Sequence, residues 1–434
     1  MSLFDHATLT ARLHRITPAL AAALGDSLVL VHAGLPVSLP ENTDQTYPFL
    51  AHSEYFYLTG LECAGGIVAF DPREAGAGAA AWHSFVPELT ESERIWEGRT
   101  QAPGELMPGL VTWLHQRPNR PVVHLGAPPA DRASDPARVA AIREVLKHER
   151  RPKDAAELTL LRRAAECTAA GYTALVSHLQ PGVSERSLQI ELEAGFFRAG
   201  ATGTGYGSIV GSGPNAAVLH FDPSSRVLNA GEFVLVDAGA RVSRYVCDIT
   251  RTYVVGQAPT PFQRDLHRLV LEVEEAAIAR CRPGAEWKNI HLQAAVQITS
   301  GLIDLGLMRG RAENLVEREA HTLFFPHGLG HLVGLGVRDA SGTPPGRSKD
   351  PRPSLRTLRT DLPLAEGYVI TVEPGIYFIP TLLEDPVRRE RYADCVHWDR
   401  ADALIGTGGV RIEDNLHITS GAPENLTAAI PKTL

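Results

Sequence analysis

Two acidic residues, Asp237 and Asp248, lie in strand-like apolar sequence on either side of a polar turn. A hairpin that closes at Val242-Ser243 would place them directly opposite each other, with Cβ atoms about 5 Å apart. Carboxylates at that distance repel each other unless a proton or a cation lies between them. Two solvated acids are the simpler alternative, but the apolar neighbours of Asp237 would bury it, and buried unpaired acids are rare. The spacing therefore favours a cation-binding pair.

Two histidines, His327 and His331, lie four residues apart in a glycine-rich segment. Their spacing suits one face of a helix, but Gly328 and Gly330 make a loop an equal alternative. A single histidine in apolar sequence is more often a core residue with satisfied hydrogen bonds. Two of them, where glycine lets the backbone approach a ligand closely, favour a binding site.

Two further acids belong to strand-like runs nearer the C-terminus. Glu373 follows the apolar run 369–372 and precedes a tight Pro374-Gly375 turn. Further on, two-residue alternation places Arg411 and Glu413 on one face of a strand. Taken alone, Arg411 and Glu413 would be typical of a surface ion pair.

Together these segments offer four acids on strands and a histidine in a separate segment. An oxygen-rich set of this kind with an imidazole suits manganese, cobalt, iron or zinc. Two ions about 3.5–4 Å apart would neutralise the acids and activate a water molecule between them. The combination predicts a two-metal site that activates water.

The elements around these residues predict an α/β protein of two domains, 1–150 and 151–434, because 434 residues exceed what one hydrophobic core usually organises. The charged segment 148–154 marks the boundary, since Pro152 stops regular structure and Asp154 can cap the following helix. Strand-like runs in the first domain are 27–31, 65–70 and 121–125.

The second domain contains a weak internal repeat. A long helix, a Pro-Gly break and a second helix occur twice, with second helices at 186–198 and 287–305. Chance is an open alternative, because proline and glycine commonly follow helices. A true repeat would predict two related α/β halves with a site between them.

The composition excludes several classes of partner. A net charge of -8 and the lack of a run of Lys and Arg give no sign of nucleic-acid binding. Five scattered cysteines without Cys-x-x-Cys spacing favour a reducing compartment. The N-terminal sequence shows no apolar signal segment, and the apolar runs are too short for a membrane span. We expect a cytoplasmic protein that binds neither nucleic acid nor membrane.

At these residues the sequence resembles the pita-bread metallopeptidases, specifically the family of prolidase and aminopeptidase P. The resemblance covers residues 155–430 and, more loosely, the N-terminal part. Its motifs in the second domain are Val236-Asp237-Ala238-Gly239, Asp248-Ile249-Thr250-Arg251, His327-Gly328-Leu329-Gly330-His331, Thr371-Val372-Glu373-Pro374-Gly375 and Arg411-Ile412-Glu413-Asp414. Those of the first are Tyr47-Pro48-Phe49, Tyr55-Phe56-Tyr57-Leu58-Thr59-Gly60 and Trp96-Glu97-Gly98-Arg99.

The resemblance implies an N-terminal α/β domain followed by a pita-bread catalytic domain of two related α/β halves. It implies two divalent metal ions, first of all manganese, with cobalt, zinc or iron as alternatives. It also implies a homodimer and short proline-containing peptides as substrates.

The family resemblance also assigns roles to individual residues. The implied metal ligands are Asp237, Asp248, which would contact both ions, His331, Glu373 and Glu413. Glu373 would in addition be the general base. Positions that contact the substrate or support the site in the family correspond to Tyr206, His220, His327 and Arg411.

One position departs from the family pattern. Most relatives continue from the histidine segment into Val-His-Asp, whereas this chain has Val337-Arg338-Asp339. The missing histidine is credited with contacting the scissile bond or stabilising the intermediate. Arginine cannot exchange protons near neutral pH, but its planar guanidinium binds carboxylates well. We expect Arg338 to bind a substrate carboxylate or an oxyanion, the alternative being a drifted position with loss of activity.

The implied reaction is hydrolysis of the bond between an N-terminal residue and a following proline. The long segments from His331 to Glu373 and from Glu373 to Arg411 are more similar to prolidase, which favours an Xaa-Pro dipeptidase. An Xaa-Pro aminopeptidase that acts on longer peptides is the first alternative. A non-peptidase homologue or binding scaffold is more distant, because all five implied ligands are present.

Overall fold

The computed structural model describes residues 2–41, 45–132 and 134–434. The chain forms two compact units, Met1–Arg150 and Arg151–Leu434, and each combines helices with strands, which confirms the α/β class. In the described part of the chain, no helix is at once long and apolar enough to cross a bilayer.

The described residues of the first unit contain a five-stranded sheet. Its strands are β1 (Leu28–His32), β2 (Ile67–Phe70), β3 (Trp82–Val86), β4 (Glu105–Leu106) and β5 (Val122–Gly126). The helices are α1 (His6–Leu24), α2 (Ser53–Thr59), α3 (Glu91–Trp96), α4 (Met107–His115) and α5 (Pro136–Arg150). The strand order is β4-β3-β2-β1-β5, with β1 antiparallel to β2 and parallel to β5. The three strand-like runs of the first domain correspond to β1, β2 and β5.

The aromatic residues of the first unit differ in their surroundings. Tyr55, Phe56 and Tyr57 on α2 are buried and belong to the core. By contrast, Trp96 at the end of α3 is 82% exposed, so core packing does not account for an aromatic residue at that position.

The second unit begins with two helices and a group of short strands. These are α6 (Ala155–Ser177), α7 (Glu185–Arg198), β6 (Gly203–Thr204), β7 (Ile209–Ser212), β8 (Phe233–Asp237), β9 (Ala240–Val242), β10 (Tyr245–Val246) and β11 (Thr250–Val254). Asp154 accepts a hydrogen bond from Glu157 N–H and starts α6 with a capping box, as its position in the sequence predicts. The strands β7, β8 and β11 form one sheet in the order β11-β8-β7.

A second pair of long helices and further strands follow. These elements are α8 (Pro261–Arg280), α9 (Trp287–Asp304), α10 (Ala312–Glu317), α11 (Pro353–Arg356), β12 (Val369–Val372), β13 (Gly375–Tyr377), α12 (Pro380–Leu383), α13 (Pro386–Arg391), α14 (Trp398–Asp402), β14 (Gly409–Arg411), β15 (Asp414–His417) and β16 (Glu424–Asn425). The strands β12, β15 and β16 form a sheet, and β13 pairs with β14.

Two hydrophobic cores correspond to the two helix pairs of the predicted repeat. One core joins α6 and α7 to β8 and includes Leu192, Phe196 and Val236. The other joins α8 and α9 to β12 and includes Val270 and Ile370. Each helix pair therefore backs a small sheet, and the four predicted acids lie on or next to the strands of these sheets.

Candidate metal centre

A cavity of about 540 Å³ in the second unit is lined by every residue that the sequence assigns to metal binding, catalysis or substrate binding. These residues are Tyr206, His220, Asp237, Asp248, His327, His331, Arg338, Glu373, Arg411 and Glu413. They come from strands and loops that are distant in the sequence, so the fold of the whole unit is needed to assemble the cavity.

The two aspartates lie on one β-hairpin, although not in the predicted register. The chain turns at Ser243 and Arg244, whose φ angles of 45° and 80° fit a two-residue hairpin turn. Asp237 is therefore paired with Thr250, and Asp248 lies two residues away on the same face. The prediction of a directly opposed Asp237–Asp248 pair was wrong, because the turn lies one residue further along the chain than expected. The two carboxylates are diagonal neighbours.

The backbone at Asp248 is held by two contacts. A Cβ atom at Gly239 would collide with the carbonyl oxygen of Cys247, so this close approach of the two hairpin arms requires glycine. On the other side, Asp248 N–H donates to Asn415 Oδ1 at 3.0 Å, and the Asn415 amide donates to the Asp248 carbonyl. These contacts fix the direction in which the Asp248 carboxylate enters the cavity.

Three buried side chains, Asp248, His331 and Glu413, bring potential ligand atoms within 4.8 Å of one another, the spacing of a metal site. His331 Nε2 lies 3.4 Å from Asp248 Oδ2 and 3.9 Å from Glu373 Oε1. The described part of the chain thus contains a cluster that could hold a cation, with Glu373 at its edge.

His331 is oriented as a metal ligand. It lies in a loop, which decides against the helical alternative for the two histidines. Its backbone N–H donates to Thr371 Oγ1 at 3.0 Å, and its ring Nδ1 lies 3.1 Å from the Leu332 carbonyl. Because a carbonyl only accepts, Nδ1 carries the proton and the lone pair of Nε2 points at Asp248 and Glu373.

Burial and mutual repulsion make the negatively charged forms of the cavity acids unfavourable. Burial raises the pKa of Glu373 to about 7, and the charges of Asp248 and Asp237 add to that rise. Burial and the same carboxylates raise the pKa of Glu413 well above its ordinary value. The pKa of Asp237 is raised by burial too, with Arg411 opposing and Asp248 contributing. Carboxylates crowded in this way favour bound cations.

The donor set fits a pair of divalent ions. It consists of four carboxylates and one imidazole nitrogen, a combination that suits manganese, cobalt, iron or zinc. Arg411 is the cation that directly contacts this group, through a 2.5 Å bond from Nη2 to Asp237 Oδ2. Arg338 and Arg359 also line the cavity but are exposed to solvent, so Arg411 is the one buried arginine among the described residues of the lining, against four carboxylates. The residues present therefore fit the dinuclear centre that the sequence predicts.

Arg411 is engaged on several sides by protein groups. Besides Asp237, its Nε donates to Thr250 Oγ1 at 2.9 Å and its Nη1 donates to Tyr377 Oη at 2.8 Å. Asp237 accepts a second bond from Tyr206 Oη at 2.6 Å. Arg411 and Tyr206 therefore hold one carboxylate between them.

His327 is neutral and both ring nitrogens are in use. Burial, together with the charge of Arg411, lowers its pKa to about 3. Nδ1 lies 2.8 Å from the Gly328 carbonyl, and Nε2 lies 2.9 Å from Tyr377 Oη. The carbonyl fixes the proton on Nδ1, so Nε2 accepts from the Tyr377 hydroxyl. In this arrangement His327 presents its ring edge to the cavity.

The sequence reasoning missed two residues that support the site. Tyr377 bridges Arg411 and His327, and the break at Glu373-Pro374 between β12 and β13 means that alternation from Glu373 gave no signal for it. Thr250 donates to Glu413 Oε2 at 2.7 Å, and its role follows only from the hairpin register.

The rim of the cavity carries charge on one side and apolar surface on the other. Arg338 and Arg359 are exposed and line it, and the pKa of Arg359 is lowered by partial burial and by the charge of Arg338. His220 lies on the rim too, flanked by the apolar side chains of Leu219 and Phe221. Arg359 was missed because no sequence pattern singles it out.

Comparison with known families agrees with this geometry. Residues 159–420 match the model of metallopeptidase family M24, and residues 12–107 match the aminopeptidase P N-terminal domain. The first match contains all ten predicted site residues.

Individual relatives carry the comparison further. A probable Xaa-Pro aminopeptidase of Botryotinia fuckeliana is 31% identical over 409 residues, covering 90% of this chain and 87% of the relative. One of Tuber melanosporum is 29% identical over 399 residues, with 90% and 86% covered. Among solved structures, aminopeptidase P from E. coli with the inhibitor Pro-Leu superposes with a TM-score of 0.78 at 26% identity, covering 100% of this chain and 97% of that one.

These relatives correct one expectation and confirm another. The preference for a dipeptidase is not supported, and the aminopeptidase alternative agrees better with the relatives. The segment between Glu373 and Arg411 misled because it packs on the core through residues such as Leu383 of α12 and Ala401 of α14. In the described chain, the cavity lining takes no residue from 378–410. The pita-bread architecture is confirmed by the likeness to aminopeptidase P. The chain belongs to metallopeptidase family M24, the family of prolidase and aminopeptidase P.

Proposed function

We propose that the protein is a dinuclear-metal Xaa-Pro aminopeptidase, which releases the N-terminal residue from peptides with proline in the second position. The observation that carries the proposal is the buried cluster of Asp248, His331 and Glu413, with the partly buried carboxylates of Asp237 and Glu373 lining the same cavity. The names of the relatives support aminopeptidase over dipeptidase activity. In this proposal residues 1–150 are the N-terminal domain and residues 151–434 are the catalytic domain.

Five residues would hold the two ions: Asp237, Asp248, His331, Glu373 and Glu413. Manganese is the ion we propose, with cobalt, zinc or iron as alternatives that the same donors accept. When bound, such a pair supplies Lewis acidity and a water molecule of lowered pKa. The cytoplasmic location and the homodimer remain part of this proposal as expectations from sequence.

Glu373 is proposed as the general base. Its carboxylate lies 3.8 Å from His327 Nδ1 and 3.9 Å from His331 Nε2, at the edge of the ligand cluster. At that position the carboxylate can take a proton from the attacking water and return it to the product. The proline nitrogen becomes a secondary amine when the bond breaks, and the proton held by Glu373 can pass to it.

The other residues of the cavity position the substrate and the ligands. Arg411 and Tyr206 hold Asp237 in place through bonds of 2.5 and 2.6 Å. His327 offers a neutral ring whose orientation Tyr377 fixes. His220 and the apolar rim beside it could contact the substrate from the opposite side.

The proposal is tested with Ala-Pro, Ala-Pro-Ala and Ala-Ala-Ala as parallel substrates, with manganese and with chelator. We expect cleavage of Ala-Pro-Ala, loss of that activity with chelator and little cleavage of Ala-Ala-Ala. Cleavage of Ala-Pro alone would show a dipeptidase instead. If neither proline peptide is cleaved in a metal-dependent way, a non-peptidase homologue is the better reading.

Arg338 is proposed to bind the C-terminal carboxylate of short peptides, as the exposed cation that replaces the family histidine. We expect Arg338→Met to raise KM for Ala-Pro-Ala about threefold to fivefold, the factor given by an exposed ion pair of up to ~1 kcal/mol. The KM for the C-terminal amide of the same peptide should change little. Steady-state kinetics on the acid and the amide measure the difference.

Arg356→Met is a matched control, because Arg356 is an exposed arginine on α11 that does not line the cavity. It should leave the preference for the acid over the amide unchanged. If Arg338→His keeps both the activity and the preference of the wild type, the carboxylate role of Arg338 is wrong.

A further inference from the structure

The segment 424–432, named the C-terminal strap here, is hydrogen-bonded to β15, the strand that begins directly after Glu413. Asp414 follows Glu413 directly and is fully buried, with four donors around its carboxylate. Oδ1 accepts from Arg251 Nη2 and from Thr427 Oγ1, both at 2.8 Å. Oδ2 accepts from Asn425 Nδ2 at 2.6 Å and lies 2.6 Å from Lys432 Nζ. Three of the four donors belong to the strap.

Lys432 also contacts a second buried acid. Its Nζ donates to both carboxylate oxygens of Glu274, on α8, at 2.9 and 2.8 Å. One ammonium therefore lies between two carboxylates that are 0% exposed, those of Glu274 and Asp414. Removing that ammonium would leave two acids facing each other in a region from which water is excluded.

Arg251 connects the strap to the ligand strand. It is 1% exposed, and its Nη1 donates to the Glu413 carbonyl at 2.7 Å. Its Nη2 donates to the Ile430 carbonyl at 2.8 Å and its Nε to the Pro431 carbonyl at 3.0 Å. The Arg251 guanidinium is thus hydrogen-bonded both to the backbone of Glu413, a proposed metal ligand, and to the backbone of the strap.

A second connection leads to Asp248. The side-chain amide of Asn415 bonds both the N–H and the carbonyl of Asp248. The backbone N–H of Asn415 donates to Thr427 Oγ1 at 3.1 Å. Thr427 is therefore bonded to Asp414 and to Asn415, the two residues that follow Glu413. The strap touches the supports of two ligands without entering the cavity.

We infer that Lys432 is a positioning residue of the metal centre, acting through Asp414 and Arg251 to hold Glu413 and Asp248 in the geometry that binds metal. This inference rests on the proposed metal centre and extends it to the C-terminal strap. Residues that hydrogen-bond a ligand directly typically change metal affinity by about 10–100-fold when removed, and Lys432 lies one contact further out.

The test is manganese affinity, measured by isothermal titration calorimetry on the full-length protein after its metal has been stripped with chelator. We expect Lys432→Met to weaken manganese binding by about 10-fold, the lower end of the range for direct partners of a ligand. Lys432→Arg should restore most of the affinity, because a guanidinium can bridge the same two carboxylates. Lys349→Met is the control, since Lys349 is exposed and distant in sequence from the strap.

Thermal unfolding of the metal-free variants separates positioning from folding. Lost affinity in Lys432→Met, with recovery in Lys432→Arg, supports the inference even if Lys432→Met is less stable without metal. Manganese affinity within twofold of the wild type in Lys432→Met overturns it, whatever the stability. A wild type that binds no manganese, cobalt, zinc or iron overturns the proposed metal centre itself, which is a different result.

Discussion

Glu373→Gln is expected to lower kcat for Ala-Pro-Ala by about 10²–10⁴-fold, the contribution of a positioned general base. The Glu373 carboxylate lines the cavity at the edge of the ligand cluster, so the wild-type residue can take the proton of the attacking water. Glutamine keeps the shape and one oxygen in the cavity but cannot carry the proton. Steady-state kinetics at saturating manganese measure the change.

Glu366→Gln is the matched control, because Glu366 is exposed on the turn before β12 and does not line the cavity. Since Glu373 is also a proposed ligand, the metal content of each variant has to be measured by mass spectrometry alongside the kinetics. A Glu373→Gln protein with full metal content and a kcat within tenfold of the wild type would refute the general-base role.

The metal-free protein is expected to lose thermal stability as the pH rises from about 5 to 8. Burial raises the pKa of Glu373 from its ordinary value of 4.5 to about 7, and the pKa values of Glu413 and Asp237 are raised as well. Between the two pKa values the folded state binds more protons than the unfolded state, so the free energy of unfolding falls with pH in that window. Below pH 4.5 Glu373 no longer makes the free energy of unfolding depend on pH, because its carboxyl is protonated in both the folded and the unfolded state.

Manganese should reverse this trend, because the ions take the place of the protons. An ion at 1,000 times its dissociation constant stabilises the folded state by about 4 kcal/mol, and affinity rises as the carboxylates ionise. The rise in melting temperature on adding manganese is therefore expected to be larger at pH 8 than at pH 5. Scanning calorimetry with and without chelator measures it.

Glu373→Gln should flatten the pH dependence of the metal-free protein, whereas Glu366→Gln should leave it as in the wild type. Equal manganese shifts at pH 5 and pH 8, or a metal-free stability that increases across this range, would contradict the electrostatic account of the site.

The five residues assigned to metal binding were named by the family resemblance, and the structure places all of them around one cavity. Acids that end apolar runs, as Asp237 and Glu373 do, are unusual enough to indicate function. Glycines beside His331 indicated close backbone contact, and the structure shows why: a Cβ atom at Gly330 would collide with the Thr371 carbonyl. The fold class and the two helix pairs followed from periodicity and helix-ending residues.

What could not be predicted depends on three-dimensional geometry. The pairing of Asp237 with Thr250 follows from a turn at Ser243-Arg244, and a one-residue uncertainty in that turn changes which residues face each other. The contacts of Tyr377 with His327 and Arg411 join three distant segments, so no local pattern reveals them. Substrate length was misjudged because a long insert was taken to lie at the cleft, where it does not reach.

The spread of the ligand residues from 237 to 413 has a consequence for how the protein matures in the cell. Contacts of such large sequence separation form late in folding, because a long loop must close before they contribute free energy. A chain emerging from the ribosome can present Asp237 and Asp248 early, but it lacks Glu413 until almost the entire sequence has been synthesised. We therefore expect the proposed metal centre to be completed only after global folding, so that the fraction of molecules with bound ions would measure the fraction that has finished folding.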